Sequence, residues 1–279
     1  MTLEMHKLGE HVGVHVTGLD VSTPLAPNTL QAVYKAWVDH SVLVLRGQTL
    51  TPQQFIEFAR QLGTPIEQNL KHLNVADRPE LAFISSEDKD IHGTGKRVIR
   101  GTSWHTDHSY AAIPPKATML FAVDIPAQGG DTQFTSCAAA FDALPLEQQS
   151  HLDGMRCIHA FQSSRSPRAM LKRTAGEIAA YPGDAEHPLI RTNADTGRQS
   201  IYVNTVRAER ILGLSDAESG ELLDQLYAHI EQQQFQYRHK WQPGDIVIWD
   251  NRSVLHKANS DYEGKRFLYR IMLKGEKPV

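Results

Sequence analysis

From Leu81 to the C-terminus the chain breaks into short apolar runs: Leu81–Ile84, Ala117–Val123, Met155–Phe161, Leu189–Thr192, Ser200–Val203, Phe235–Trp241, Asp245–Trp249 and Arg266–Leu273. Glycine, proline and aspartate punctuate them. None approaches the ~20 residues of a membrane-spanning helix. Runs this short bury themselves only by lying side by side, so they predict a β-sandwich or barrel. Helices are predicted between them at about Ala138–Ala143, Leu146–Leu152 and Asp216–Gln233. Ahead of this region Val12, Val14 and Val16 alternate like a strand. Asn28 is placed to cap a helix from Thr29 to His40, with Leu30, Val33, Tyr34 and Trp37 on one face. S-V-L-V-L-R (41–46) reads as a short buried strand. Thr51-Pro52-Gln53-Gln54 opens a second helix, with Phe55, Phe58, Ala59 and Leu62 on its apolar side, and Gly63 ends it. The expected product is a single domain over 1–279, mainly β with flanking helices.

Composition narrows the partners. The formal net charge is −3 and there is no basic stripe, so nucleic acid is not expected. The N-terminus M-T-L-E-M-H-K-L-G-E has no apolar leader region. Cys137 and Cys157 stand alone in apolar-leaning stretches and read as buried thiols of a reducing compartment. A cytoplasmic protein with no membrane partner is the expectation. Two long stretches, Ser86–Gly101 and Gln162–Pro188, show little strand pattern and read as loops with a function. The second carries R-S-P-R-A-M-L-K-R and is expected to be an active-site loop or lid.

The stretch S-W-H-T-D-H-S-Y (103–110) sets His105 and Asp107 two residues apart, on one face if the segment is extended. An imidazole and a carboxylate there make two-thirds of a facial metal triad. The third ligand should come from a distant strand, and His256 in W-D-N-R-S-V-L-H is the strongest candidate. In R-F-L-Y-R-I-M-L the period of two puts Arg266, Leu268, Arg270 and Met272 on one face. A buried, unpaired guanidinium costs several kcal/mol, so each inward arginine predicts an anion, and arginine's planar fork suits a carboxylate. Four residues of strand span about 13 Å, so Arg266 and Arg270 predict two separate anions. The same residues leave open a mononuclear zinc hydrolase, or a non-catalytic binder on the same barrel.

Taken together, W-H-T-D, P-P-K-A-T-M-L, G-G-D-T (129–132), F-Q-Y-R-H-K-W-Q-P-G-D, W-D-N-R-S-V-L-H and the final R-x-x-x-R resemble the iron(II)- and 2-oxoglutarate-dependent dioxygenases of the taurine dioxygenase and phenoxyacetate dioxygenase (TauD/TfdA) type, over nearly the whole chain. The resemblance implies a double-stranded β-helix, the cupin-like jelly roll. It implies Fe(II), 2-oxoglutarate and O2 as cofactors, with His105, Asp107 and His256 as metal ligands. Arg266 is similar to the arginine that grips the distal carboxylate of 2-oxoglutarate, and Thr132 to its hydroxyl-bearing helper. Arg270 resembles the residue that holds the acidic group of the primary substrate. W-D-N-R reads as structural, positioning His256.

On these assignments one positive charge is left over, which favours an anionic substrate. Taurine enzymes carry a histidine a few residues after the second helix. Gln68 and Asn69 stand there in this chain, with His72 out of simple register. Those enzymes also carry a phenylalanine where Arg207 aligns. Tyr110 and Phe161 read as aromatic pocket walls. The expected reaction is hydroxylation of a small carboxylate or sulfonate, aryloxyalkanoate-like, with taurine or another alkylsulfonate as the alternative. Members of the family are commonly dimers or tetramers, which implies a homo-oligomer.

Overall fold

Strand alternation and two amphipathic helices account for the architecture. The structure, a computed structural model, describes residues 3–67, 73–89, 95, 98–168 and 183–279. Its largest sheet runs in the order β1 (Glu4–Lys7), β2 (Val14–Thr17), β3 (Val42–Leu45), β15 (Ile246–Asp250), β7 (Ala117–Asp124), β17 (Phe267–Leu273), β6 (Arg78–Ser85) and β5 (Asn74–Val75), with β4 (Pro65–Ile66) also paired to β17. A three-stranded sheet, β14 (Gln236–His239), β8 (Thr132–Ser136) and β16 (Val254–Ala258), shares an apolar layer with it. Two smaller sheets join β10 (Ala185–Pro188), β9 (Arg156–His159) and β13 (Ala208–Ile211), and β11 (Ile190–Thr192) with β12 (Gln199–Ile201).

The large sheet is apolar on both faces. Leu43, Leu45, Met119, Phe121, Ile246, Ile248, Ile271 and Leu273 pack against helices α1 (Pro27–His40) and α2 (Pro52–Leu62). The other face turns Val42, Val44, Leu120, Ala122, Val247, Trp249 and Leu268 toward Phe134 of β8 and Val254 of β16. Each such aliphatic or phenyl side chain, fully buried, is worth about 1.5–3 kcal/mol. A third cluster joins α3 (Cys137–Asp142), α4 (Leu146–Leu152) and α5 (Asp216–Ile230) to the smaller sheets. No helix among the described residues is long and apolar enough to cross a membrane. Cys137 and Cys157 are free and buried.

Local chemistry explains where helices start. Thr51 and Gln54 form a reciprocal capping box on α2, and Gly63 ends it. On α1 the expected cap at Asn28 is displaced: Pro27 is the first helical residue, Ala26 precedes it, and no side chain caps the end. Proline tolerates that position because its missing N–H would have had no partner in the first turn. In the Gln162–Pro188 stretch, residues 169–182 lie outside the described residues. Its last four residues are strand β10, with Ala185 and His187 buried against β9.

Inward alternation also carries polar groups. On β8, Thr132 shares a face with Phe134, and on β16, His256 shares one with Val254. On β7, Thr118 is on the face of Leu120, and on β17, Arg270 is on that of Leu268. One end of the layer between the sheets is therefore polar.

Candidate active site

His105 and His256 face each other across an isolated antiparallel bridge. The His256 backbone N–H donates to the His105 carbonyl at 2.8 Å, and the His105 N–H donates back at 3.0 Å. This close pairing sets the two imidazole centroids 4.2 Å apart. The extended segment stops there. Residues 107–110 form a turn, and His108 has φ 47°. Asp107 thus joins the histidines through a turn, where strand alternation had been expected. Its Oδ1 lies 3.9 Å from His105 Nε2 and its Oδ2 lies 3.8 Å from His256 Nε2. One ion with bonds of about 2.0–2.2 Å can reach all three. Among the described residues this is the one cluster of His, Cys, Asp or Glu whose ligand atoms lie within 4.8 Å of one another.

The donor set suits a ferrous ion. Two imidazoles and one carboxylate on one side of the metal leave positions open for other ligands. The His105 Nδ1–H donates to the Ser103 carbonyl at 2.8 Å, which leaves the Nε2 lone pair for a metal. Burial keeps both histidines neutral: His256 is pushed down to about 4 and His105 well below its ordinary value. Burial would raise the Asp107 carboxyl. The His256 and His105 imidazoles and the Arg270 guanidinium outweigh it and hold the group below the usual carboxylate range. Gly101, at φ 77°, makes room for the His105 ring, since a Cβ there would lie 3.2 Å from His105 Cε1.

A chain of hydrogen bonds aims the carboxylate. The Thr118 hydroxyl donates to Asp107 Oδ2 at 2.6 Å, and Asn251 Nδ2 donates to Thr118 Oγ1 at 3.0 Å. The Trp249 indole N–H holds Asn251 Oδ1 at 3.0 Å, and its ring lies 4.6 Å from that of His256. W-D-N-R therefore supports Asp107 as well as His256. Asp250 and Arg252 are buried and bonded to each other.

Arg266 sits ahead of β17, and the register shifts between Phe267 and Leu268. The residue that the shift skips is Val123 of β7; on the β6 side the pairing runs on, with the Ser86 N–H donating to the Arg266 carbonyl at 2.8 Å, so Arg266 keeps the face of Leu268, as the alternation suggested, and is buried. Its Nε donates to the Gly130 carbonyl at 3.2 Å, and its guanidinium carbon is 5.9 Å from the Trp241 and Tyr262 rings. Among the described residues it has no salt bridge. Burial pushes its pKa down. Gly130, at φ 69°, fits against it, since a Cβ would come within 3.3 Å of Arg266 Nε. Thr132 Oγ1 accepts the Trp241 indole N–H at 3.0 Å, which joins Thr132 to the same corner.

A family model described as "Taurine catabolism dioxygenase TauD, TfdA family" matches residues 4–272. The chain belongs to the TauD/TfdA family. It is 34% identical over 266 residues to an alpha-ketoglutarate-dependent 2,4-dichlorophenoxyacetate dioxygenase of Cupriavidus pinatubonensis, covering 91% of this chain and 92% of that one. It is 31% identical over 287 residues to an alpha-ketoglutarate-dependent sulfate ester dioxygenase of Pseudomonas putida, covering 100% of this chain and 92% of the relative. The crystal structure of a taurine dioxygenase from Burkholderia xenovorans superposes with a TM-score of 0.84 at 31% identity, covering 100% and 91% of the two chains.

Three of the remaining candidates of this TauD/TfdA chain, Tyr110, Phe161 and Arg207, fall into one cluster. Tyr110 and Phe161 meet edge to face, with centroids 4.8 Å apart. The Arg207 guanidinium carbon is 4.8 Å from the Tyr110 ring and 5.0 Å from that of Phe161. Arg270 is near enough to Asp107 for each to shift the other's charge. His72 lies outside the described residues. Sequence reasoning did not assign Arg168, Thr118 or Asn251 to the site. Arg168 lay in the quoted R-S-P-R-A-M-L-K-R run, whose spacing held no further signal; its terminal nitrogen donates to the Ser103 carbonyl at 3.2 Å.

Thr118→Val tests the carboxylate support. It removes the donor to Asp107 and the acceptor for Asn251 with little change of shape. Loss of such a supporting contact costs about 10–100-fold in metal affinity or activity. Ferrous-ion titration is expected to show that loss; unchanged affinity would mean the 107–110 turn holds Asp107 unaided.

Proposed function

We propose that the chain is an iron(II)- and 2-oxoglutarate-dependent dioxygenase that hydroxylates a small anionic organic substrate, aryloxyalkanoate-like or another carboxylate or sulfonate. The observation that carries this reading is the buried His105–Asp107–His256 trio together with Arg266, a buried cation with no salt bridge among the described residues. Bound there with 2-oxoglutarate and O2, iron(II) supplies the oxidation in which one oxygen atom enters a C–H bond and the other enters succinate as CO2 leaves.

The side chains divide the remaining work. His105, Asp107 and His256 would hold the metal. Arg266 would grip the distal carboxylate of 2-oxoglutarate. Thr132, whose oxygen already accepts from Trp241, has its own O–H left to donate to the same carboxylate. Arg270 would orient the acidic group of the substrate beside Asp107. Tyr110, Phe161 and Arg207 would wall the pocket and exclude water. Neutral histidines keep their lone pairs for the metal, so this chemistry needs no protein general base.

The facing sheets support a double-stranded β-helix and one domain over 1–279. The modest net charge and isolated cysteines support a cytoplasmic protein acting on a small molecule, without nucleic-acid or membrane partners, and the family resemblance implies a homodimer or homotetramer. An alkylsulfonate or taurine substrate is the second reading, favoured by the sulfate-ester relative and the taurine dioxygenase neighbour. Arg207 speaks against taurine, because it stands where taurine enzymes carry a phenylalanine. A zinc hydrolase leaves Arg266 and Thr132 without a part.

The test is a screen of aryloxyacetates, alkanoates, alkyl sulfates and sulfonates with protein reconstituted anaerobically with Fe(II). Succinate formation that needs iron, O2 and 2-oxoglutarate, and that at least one acid stimulates, is the expected result. Metal-dependent hydrolysis with no oxygen uptake would replace this reading with the hydrolase.

A further inference from the structure

The Arg266 guanidinium is aimed by a turn that has little stiffness of its own. Its Nε donates to the Gly130 carbonyl at 3.2 Å, so the direction of its outer nitrogens depends on where that carbonyl is held. Gly130 follows another glycine, and Gly129 and Gly130 take φ 73° and 69°. Glycine has more backbone freedom to lose than any other residue. A Gly-Gly turn therefore keeps one conformation only when something outside it holds it.

Two neighbouring segments supply that hold. Asp261, in the connection between β16 and β17, accepts the Gly130 N–H on Oδ1 at 3.0 Å. The Asn259 N–H and Nδ2 both donate to the Asp131 carbonyl, at 2.9 Å and 3.2 Å. Arg238 on β14 closes the clamp. Its Nε donates to Asp131 Oδ2 at 2.7 Å, and its terminal nitrogen donates to Asp261 Oδ2 at 3.0 Å. The fit is close, because a Cβ on Gly129 would overlap the Asp261 carbonyl oxygen. Thr132 follows Asp131 directly as the first residue of β8. Both groups assigned to the distal carboxylate of 2-oxoglutarate, Arg266 and Thr132, thus hang from this clamp. Arg238 and Asp261 are about half exposed, at 45% and 53%, and an ion pair so exposed adds little to overall stability. Its effect falls on the turn that it spans.

We propose that Arg238 and Asp261 are positioning residues for 2-oxoglutarate: by clamping the Gly129–Gly130 turn they keep the Arg266 fork in line with the distal carboxylate. This rests on the dioxygenase reading above, and extends it from the groups that touch the co-substrate to a pair that acts through one of them.

Two keto acids separate aim from general damage. 2-Oxopentanoate has the same metal-binding end and carbon chain as 2-oxoglutarate, with a methyl group in place of the distal carboxylate. Binding of each is measured anaerobically by calorimetry on protein loaded with Mn(II), and thermal melting checks the fold. A misaimed guanidinium keeps its charge but loses one contact of its fork. Arg238→Gln and Asp261→Ala should therefore each weaken 2-oxoglutarate about tenfold, and leave Mn(II) and 2-oxopentanoate binding within about twofold. Arg238→Lys, with no planar fork to span two carboxylates, should fall between. Arg238 is exposed enough to be replaced without opening the core, so it carries the test if Asp261→Ala does not fold. Arg266→Ala should bring the two acids to nearly equal affinity. If it does so while both clamp variants bind 2-oxoglutarate as the wild type does, the positioning role is overturned and the co-substrate assignment stands. Equal loss of both acids, or loss of Mn(II), in the clamp variants would make the clamp merely structural. A wild type that binds neither acid, or an Arg266→Ala variant with the wild-type preference, removes the assignment and the inference together.

Discussion

His256→Ala is expected to fold and to lose nearly all iron-dependent succinate formation. The bridge to His105 is made by backbone groups on both sides, so the substitution removes the imidazole without removing the pairing. What disappears is one of the three proposed metal ligands, at a position buried between Phe134, Trp249 and Asp107. Metal catalysis supplies several kcal/mol of stabilisation, and each 1.36 kcal/mol is tenfold in rate, so the loss should be on the order of a thousandfold. Circular dichroism would check the fold, elemental analysis the iron, and coupled succinate assays the rate. A variant that kept wild-type iron content and turnover would remove His256 from the metal site and the proposed chemistry with it.

Arg266→Ala carries the second large effect. The guanidinium is buried, bonded to the Gly130 carbonyl, and has no salt bridge among the described residues. Truncating one partner of a buried charged pair costs about 2–5 kcal/mol, so the KM for 2-oxoglutarate should rise on the order of a hundredfold. The KM for the primary substrate should change far less, because that group is assigned to Arg270. Arg266→Lys should fall between, since it keeps the charge but cannot offer a planar fork. If both KM values rose together, the two arginines would share one anion and the assignment of separate sites would fail.

Much of this arrangement can be read directly in the chain. Leu81–Ile84, Ala117–Val123 and Asp245–Trp249 are dense in apolar side chains because β6, β7 and β15 are interior strands, and α2 carries its own capping box. Strand β8 was not foreseen. Thr132–Ser136 is T-Q-F-T-S, and a strand in which only one residue is strongly apolar has no pattern to detect. The candidate metal ligands were legible as residue types, but their geometry was not. Asp107 reaches the histidines through a turn at a positive-φ His108, a choice made by tertiary contact rather than alternation. Arg266 was legible by the count by two, because the irregularity beside it falls on β7 and leaves the alternation of β17 intact. Arg168 belongs to a loop, where no period exists, and only its contact with Ser103 reveals it.

The short bridge between His105 and His256 has a mechanical consequence. Beyond it the strip is tied to β16 by the Ala258 N–H on the Gly101 carbonyl; these few bonds fall short of a continuous ladder, so the strip bearing His105 and Asp107 can open from β16 without unzipping a sheet. A metal ion bound to all three side chains would act as a rivet across that seam, and its affinity would be stored as resistance to local opening. Cofactor loading and mechanical integrity of the pocket would then rise and fall together.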